Sequence, residues 1–568
     1  MKLRSTFSGT LLLIAFLFTN AFSQSETVSK SNQTGATSAA AAKSKKTVTG
    51  EAIERDFAEA LIVVQDKHVK GGKIDYNELF KSVNETMLQT LDPHSNYYDS
   101  KDAEQFRTRQ SSQYFGIGAL LGDLRDENGK VIATYIRATF EGAPANRAGL
   151  LYGDKIVSVN GASMLGKTVA EVRTNLIGAR GTQAKITVQK YGSGKQETVE
   201  ITRDAVSQPS ISEFYMLRPG VGYISMSGGF NQTTYAEFVQ AMRKLKTQGM
   251  NQLVLDLRNN PGGLVIQATR VANTFLARGQ KIFTQKGRID GVGDTYYADN
   301  ESPDKTPLVV LVNGGSASAS EILAGALQDH DRALIVGEDT FGKGLVQLPF
   351  NLEYGSMLLL TIAKYETPSG RLIQHDYSDG SLYNYYNRND PTREKPKGAE
   401  SKTDSGRAVY SGGGINPDEV VKANTISAER FRAQQKLADP VFAFALDVAY
   451  GKIPGFENLK VDRPIAFDYD ISPQDFPVTE NLFQSFKKFA ADKYKIPAAQ
   501  IDKEREFIQR SLRTELVTAA YGSTTSYQVF KEYDNQLKRA VELFPAARQL
   551  AIEGAKANAR KPSSQINR

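Results

Sequence analysis

The chain of 568 residues contains no cysteine and no tryptophan, and only four histidines: His68, His94, His330 and His375. Without cysteine there are no disulfides, thiol nucleophiles, iron–sulfur clusters or cysteine-ligated zinc. So few histidines leave metal clusters and histidine-based triads short of parts. An excess of charge is also lacking, since 70 Lys and Arg against 63 Asp and Glu give a net charge of +7. With no Arg-rich or aromatic-interleaved patch, that balance argues against nucleic acid as a partner. Long apolar runs are missing beyond residue 18. What is present, 40% hydrophobic and 23% charged residues, is the composition of globular domains. At about 150 residues per domain there is room for three or four.

The N-terminus carries an address. Lys2 and Arg4 precede an apolar run at 11–18, and Ala21-Phe22-Ser23 has the small-x-small form of a cleavage site. This predicts a secretory signal peptide over 1–23, with an uncleaved anchor as the alternative. No cysteine follows that could carry a lipid. The expectation is an exported protein of a bacterial periplasm, soluble or peripherally membrane-associated. Residues 24–48 are rich in Ser, Thr, Ala and Lys and read as a flexible leader.

Periodicity divides the remainder. Over 49–103 the pattern is helical, with Ile53, Phe57, Leu61 and Val64 on one face, and Asp75 with Glu78 opens a second helix. Residues 104–204 hold short β-type runs between glycines (131–136, 155–159, 184–191), the pattern of one small β-rich module. Over 205–424 strands at 252–257, 307–312, 333–337 and 356–365 alternate with helical stretches, which predicts an α/β core with a mixed, mostly parallel sheet. Within it, 386–410 is charged and aperiodic and reads as an exposed insertion. Residues 425–555 read as a helical C-terminal domain and 556–568 as a disordered tail. The chain is therefore expected to be a multidomain α/β protein with helical N- and C-terminal regions.

The chemistry concentrates at strand exits. After the strand 307–312, a small-residue turn containing Ser316, Ser318 and Ser320 leads into a helix. Backbone N–H groups at a helix start suit a developing oxyanion, although serines there equally serve as caps. Three further features favour chemistry. Gly262 and Gly263 can present bare backbone N–H groups after the strand 252–257. Lys343 lies between Gly342 and Gly344, where walls can close in and desolvate an ammonium until it loses its proton. A neutral lysine can serve a serine as general base. In an extended segment Gln347 projects to the same side as Lys343 and can orient the amine. Their bland readings are a solvated turn lysine and a surface polar residue.

Competing motifs are weaker. GEDTFGK at 337–343 fits the phosphate-loop spacing, but Gly344 replaces the Ser or Thr that holds magnesium and the following segment looks extended. No nucleotide is therefore expected. Ser485 and Lys488 match S-x-x-K without its companion motifs. His330 lies near the far end of the serine helix, roughly 15 Å from its start, and reads as structural.

NGGSASASEILAGALQDHDRALIVGEDTFGKGLVQ, with DLRNNPGGL upstream and AKYETPSGRLIQ and GGGINPDEV downstream, resembles the carboxyl-terminal processing peptidases, or tail-specific serine proteases. YFGIGALL, GAPANRAGLLYGDKIVSVNG and LIGARGT resemble the PDZ domain of that family, and LQTLDPHSNYY the segment before it. The resemblance covers about 48–425. It implies Ser318 as nucleophile, Lys343 as general base and Gln347 as orienting residue. It also implies an oxyanion hole from Ala319 and one of Gly262 and Gly263. Phe115, Gly116, Ile117 and Gly118 would form the carboxylate-binding loop, capturing the C-termini of unstructured substrates as an added strand. No metal or organic cofactor is implied. The C-terminal helices leave room for an adaptor protein or self-association. A binding scaffold with an inactive protease-like core is the rival reading.

Overall fold

The computed structural model describes residues 49–289, 293–378, 385, 398–461 and 463–560. The expected signal peptide, the leader to residue 48 and residues 386–397 of the expected insertion lie outside these residues. Two units separate, with the boundary between residues 90 and 91. The first contains α1 (Gly50–Lys67) and α2 (Tyr76–Gln89), capped by Thr49 and Asp75, whose side chains accept from backbone N–H groups of the first turn.

The second unit starts with β1 (Asn96–Tyr98) and α3 (Ser100–Gln110). The β-rich module follows as β2 (Gln113–Gly116), β3 (Ala119–Arg125), β4 (Val131–Thr139), α4 (Pro144–Arg147), β5 (Lys155–Val159), β6 (Ala162–Ser163), α5 (Val169–Leu176), β7 (Gln183–Gln189), β8 (Gln196–Thr202) and β9 (Asp204–Ser207). Its sheet runs β3-β4-β5-β7-β8, which leaves β3 on the edge, while β2 pairs with β9. Alternating residues Ile136, Ile156, Ala184, Ile186 and Val188 pack with Val172 and Leu176 of α5 as its core.

The core comprises β10 (Glu213–Arg218), β11 (Val221–Ser225), α6 (Thr234–Thr247), β12 (Gln252–Asp256), α7 (Val265–Phe275), β13 (Lys281–Gly287), β14 (Thr295–Tyr297), β15 (Leu308–Val312), α8 (Ala319–Asp329), β16 (Leu334–Gly337), β17 (Leu345–Asn351), β18 (Met357–Glu366), β19 (Glu400–Lys402), β20 (Ala408–Tyr410) and β21 (Glu419–Val420). The central sheet has the order β10-β11-β12-β15-β16-β21, parallel throughout except for β10. The run 356–365 departs from the parallel expectation. It follows β17 through a tight turn with Gly355 at φ +78°, so β18 returns antiparallel and forms a second sheet with β1, β13, β14 and β17.

Continuous apolar strands imply burial on both faces, and the alternation shows how. Leu308, Val310 and Val312 pack with α6, α7 and α8, whereas Val309 and Leu311 face Leu537, Ala540, Phe544 and Ala547. The latter belong to the C-terminal helices α9 (Ala428–Ala449), α10 (Glu480–Tyr494), α11 (Ala498–Lys503), α12 (Arg505–Lys531), α13 (Asn535–Glu542) and α14 (Phe544–Ala559). α12 bends at Gly522, whose φ of +85° a side chain would resist. The C-terminal segment thus completes the sandwich.

Two further expectations need correcting. Residues 556–559 were expected in a disordered tail but continue α14. The described part of the expected exposed insertion forms the β19–β20 hairpin, with Thr403 and Val409 buried. The Arg407 guanidinium reaches Asp331 at 2.7 Å and Asp418 at 2.5 Å, partners invisible to local periodicity. Among the described residues no helix is long and apolar enough to cross a membrane.

Phe544, fully enclosed beneath β15 and β16, fixes α14 to the sheet. Phe544→Ala is expected to cost about 3–5 kcal/mol, read as a lowered unfolding midpoint in urea.

Candidate functional site

The site is assembled at the ends of parallel strands. β15 is followed by Asn313, whose Oδ1 accepts from Asn259 N–H and Gly315 N–H, both at 2.9 Å. This ties the turn after β15 to the turn after β12. Ser316 donates its hydroxyl to the Leu257 carbonyl at 2.8 Å, and Ser320 donates to the Asn260 carbonyl at 3.0 Å. Of the three candidate serines, two are therefore buried and committed to backbone. Ser318 lies between them, half-buried, with φ +56° and ψ −116°. Positive φ in a residue with a Cβ is costly, of order 1–3 kcal/mol, and persists where the surroundings over-determine it.

Two buried side chains do that. Glu321, in the first turn of α8, accepts from Ser318 N–H at 2.8 Å, Lys343 N–H at 2.9 Å, Gly342 N–H at 2.7 Å and the Thr340 hydroxyl. The Tyr365 hydroxyl, from β18, sits 3.0 Å from the Ser318 carbonyl oxygen and 2.8 Å from that of Lys343. The amide ends of both residues hang on one carboxylate and the carbonyl ends on one phenol. Burial pushes the Glu321 carboxyl up to about 7, against four donors that each favour its charged form. The amides that a phosphate loop would offer an anion are thus already spent on a protein carboxylate, and the segment after Lys343 is a strand.

Lys343 Nζ donates to Gln347 Oε1 at 2.7 Å, and Gln347 Nε2 donates to the His94 carbonyl at 2.7 Å. No hydrogen bond joins Nζ to Ser318 in this structure. Burial pulls the Lys343 ammonium down to about 8, while the negative charges of Asp92 and Glu321 resist the shift. His94 is driven to about 3, first by burial and then by the Lys343 charge.

Gly262 lies against the serine turn, where a Cβ would come within 2.8 Å of Ser318 Cβ and 3.0 Å of Ala319 N. Its own N–H donates to Asn260 Oδ1 at 2.9 Å. The N–H groups of Gly263 and Ala319 have no acceptor among the described residues.

His330 caps the opposite end of α8, its ring nitrogens 2.7 Å from Asp404 Oδ2 and 2.7 Å from the Lys281 carbonyl. Ser485 and Lys488 lie on α10, outside this cluster. In the β-rich module, Phe115 and Gly116 end β2, and the Ile117 carbonyl accepts from Ala145 N–H at 2.7 Å. Gly118 has φ +73°, and a Cβ there would collide with Ala143 at 2.3 Å. These four residues lead into the edge strand β3, beside α5. No group of three His, Asp or Glu side chains suited to a metal occurs among the described residues.

Sequence reasoning missed Glu321, Thr340, Tyr365 and the loop 92–95. Only Glu321 left a local signal, the S-x-x-E spacing from Ser318.

Comparison with known proteins gives the family. Residues 220–380 match peptidase family S41 and residues 136–190 match the PDZ domain, so the protein is a peptidase of the serine type that carries a PDZ module. It is 35% identical over 304 residues to a carboxy-terminal-processing protease of Bartonella bacilliformis, covering 53% of this chain and 68% of that one. A carboxyl-terminal-processing protease of Synechocystis is 34% identical over 310 residues, covering 54% of this chain and 71% of the relative. Among solved structures, the photosystem II D1 C-terminal processing protease is 29% identical, covering 66% of this chain and 94% of that one, with a TM-score of 0.34. The chain belongs to the carboxyl-terminal processing protease family.

The four-donor clamp predicts the behaviour of Glu321→Gln. An amide keeps the shape but turns an NH2 group toward existing donors, leaving buried N–H groups unpaired at about 1–3 kcal/mol each. A lowered thermal midpoint, seen by calorimetry, is the expected outcome.

Proposed function

We propose that Ser318 is the nucleophile and Lys343 the general base of a peptidase that cleaves proteins at or near their C-termini, with Gln347 orienting the amine. The observation that carries this reading is the common suspension of Ser318 and Lys343 from Glu321 and Tyr365. Because Gln347 Oε1 takes one N–H of Nζ, the lone pair of the neutral amine stays available for the Ser318 proton. Ser318 Oγ then attacks the peptide carbonyl, and the resulting ammonium returns its proton to the leaving amine. Water, deprotonated by Lys343 in turn, releases the acyl-enzyme.

Of the two candidate glycines, Gly263 is the better partner for Ala319 in the oxyanion hole, since the Gly262 N–H is committed to Asn260. The loop Phe115–Gly118 precedes the edge strand β3. We assign it the substrate's terminal carboxylate, with the tail pairing along β3. A solved PDZ domain from a carboxy-terminal protease of Vibrio cholerae, in complex with peptide, is 29% identical and covers 16% of this chain and 97% of that one, with a TM-score of 0.15. Export to the periplasm, read from residues 1–23, is checked by the N-terminal sequence of the mature protein in fractionated cells.

Ser318→Ala and Lys343→Ala are each expected to lower kcat/KM on an unstructured polypeptide by roughly a thousandfold or more, and the double variant little further, because the pair acts as a unit. His330→Ala should retain most activity. Activity surviving in Ser318→Ala would exclude the mechanism.

The base works deprotonated, so its pKa sets a rising limb. With Lys343 at about 8, kcat/KM should climb through that region and level off above it. A limb left near the ordinary lysine range, in a pH-rate series, would contradict the assignment.

A further inference from the structure

Residues 92–95, D-P-H-S, are buried beside Lys343 and Gln347. Asp92, His94 and Ser95 are all less than one-tenth exposed. Asp92 Oδ1 accepts from His94 N–H at 2.8 Å, Ser95 N–H at 2.9 Å and the Thr361 hydroxyl at 3.1 Å. Oδ2 accepts from the Ser95 hydroxyl at 2.6 Å, and Ser95 Oγ in turn accepts from Thr361 N–H at 3.1 Å. The carboxylate thus closes a turn around itself and pins that turn to β18.

What the turn presents is the His94 carbonyl. It accepts from Gln347 Nε2, which decides which end of the Gln347 amide faces Lys343. A side-chain amide has one accepting and one donating end. With the donating end engaged by a carbonyl, the accepting end must point at Nζ. Reversed, the amide would aim N–H groups at the amine and compete with Ser318 for its lone pair.

We propose that Asp92 is a positioning residue of the proteolytic site. Through the His94 carbonyl and Gln347 it orients the Lys343 amine, and its buried negative charge raises the basicity of that amine. The inference rests on the reading of Lys343 as base. Other groups facing Lys343 are Glu321 from α8, already bound by four donors, the His94 ring, and Tyr365 from β18, and His375 acts on His94 from the segment after β18. Of these, Asp92 and Glu321 contribute negative charge, and Glu321 is committed to the backbone clamp. The His94 ring stands 6.2 Å from that of Phe341 and hydrogen-bonds Tyr385 Oη at 2.6 Å through Nε2.

The test is the pH dependence of kcat/KM for the full chain on an unstructured polypeptide. Asp92→Asn keeps an acceptor for the His94 and Ser95 amides but removes the charge. Removing a negative neighbour favours the neutral amine, so the rising limb should move to lower pH by roughly 0.5–1 unit, with a lower plateau. Ser95→Ala loosens the same turn and keeps the charge, so it should lower the plateau and leave the limb in place. Should Asp92→Asn fail to fold, Asp92→Ser supplies an uncharged acceptor for the same measurement. A limb unmoved in the charge-removing variants would overturn the proposal and leave Asp92 a structural anchor. Full activity in Lys343→Ala would instead sink the dyad reading, and this inference with it.

Discussion

The arrangement depends on a carboxylate that never touches substrate in the proposed mechanism. Glu321 gathers the N–H groups of Ser318, Gly342 and Lys343, and Tyr365 gathers the carbonyl oxygens of Ser318 and Lys343. The proposed nucleophile and base are thereby fixed through their backbones, leaving their side chains free to meet. Charge-assisted hydrogen bonds are about twice as strong as neutral ones, so a buried carboxylate with four donors can hold Ser318 in a conformation that alone costs a few kcal/mol. In the proposed mechanism chemistry and strain are separated: α8 and the lysine loop carry the constraint, and Oγ and Nζ carry the reaction.

Electrostatics at the amine is a balance of opposed causes. Burial pulls the Lys343 ammonium down, Asp92 and Glu321 oppose it, and the outcome is a value of about 8. The difference from 10.5 corresponds to roughly 3 kcal/mol against the ammonium. At neutral pH far more of the free base is then present than an ordinary lysine would supply. A deeper burial without the carboxylates would give more free base but a weaker one. The same cation helps keep His94 neutral, so that His94 enters the site through its main-chain carbonyl.

How much of this was readable in the sequence depends on how local each cause is. Ser318, Lys343 and Gln347 sit in contiguous strand–turn patterns, and their candidacy rests on turn chemistry and on a four-residue spacing. The family resemblance supplied the roles that local chemistry left open. Glu321 occupied a legible capping-box position, but nothing local said that its carboxylate also binds the lysine loop. Asp92 and Tyr365 reach the site from other elements, and no periodicity brings residue 92 to residue 361. The β19–β20 hairpin was misread for the same reason, because its order comes from Asp329, Asp331 and His330 in and beyond α8.

The C-terminal helices show the limit of pattern reading most clearly, and they bear on how a PDZ module can serve the site. Their amphipathic faces were visible, but not that α13 and α14 cover one face of the central sheet while α9 and α12 cover the PDZ module. Leu124, Tyr135 and Tyr152 of that module share a core with Phe442, Phe444 and Leu516. Arg137 stacks 3.5 Å above the Phe442 ring and pairs with Glu515, which also accepts from the Tyr152 hydroxyl at 2.8 Å. On the other side, Arg258 joins Asp256 at 2.6 Å to Asp534 at 2.7 Å, binding the end of β12 to the residue that caps α13. A PDZ module swinging alone would expose aromatic surface at about 25 cal/mol per Å² and strand the Glu515 charge. Any gating movement therefore has to carry α9 and α12 with it, or be confined to the proposed peptide site between β3 and α5.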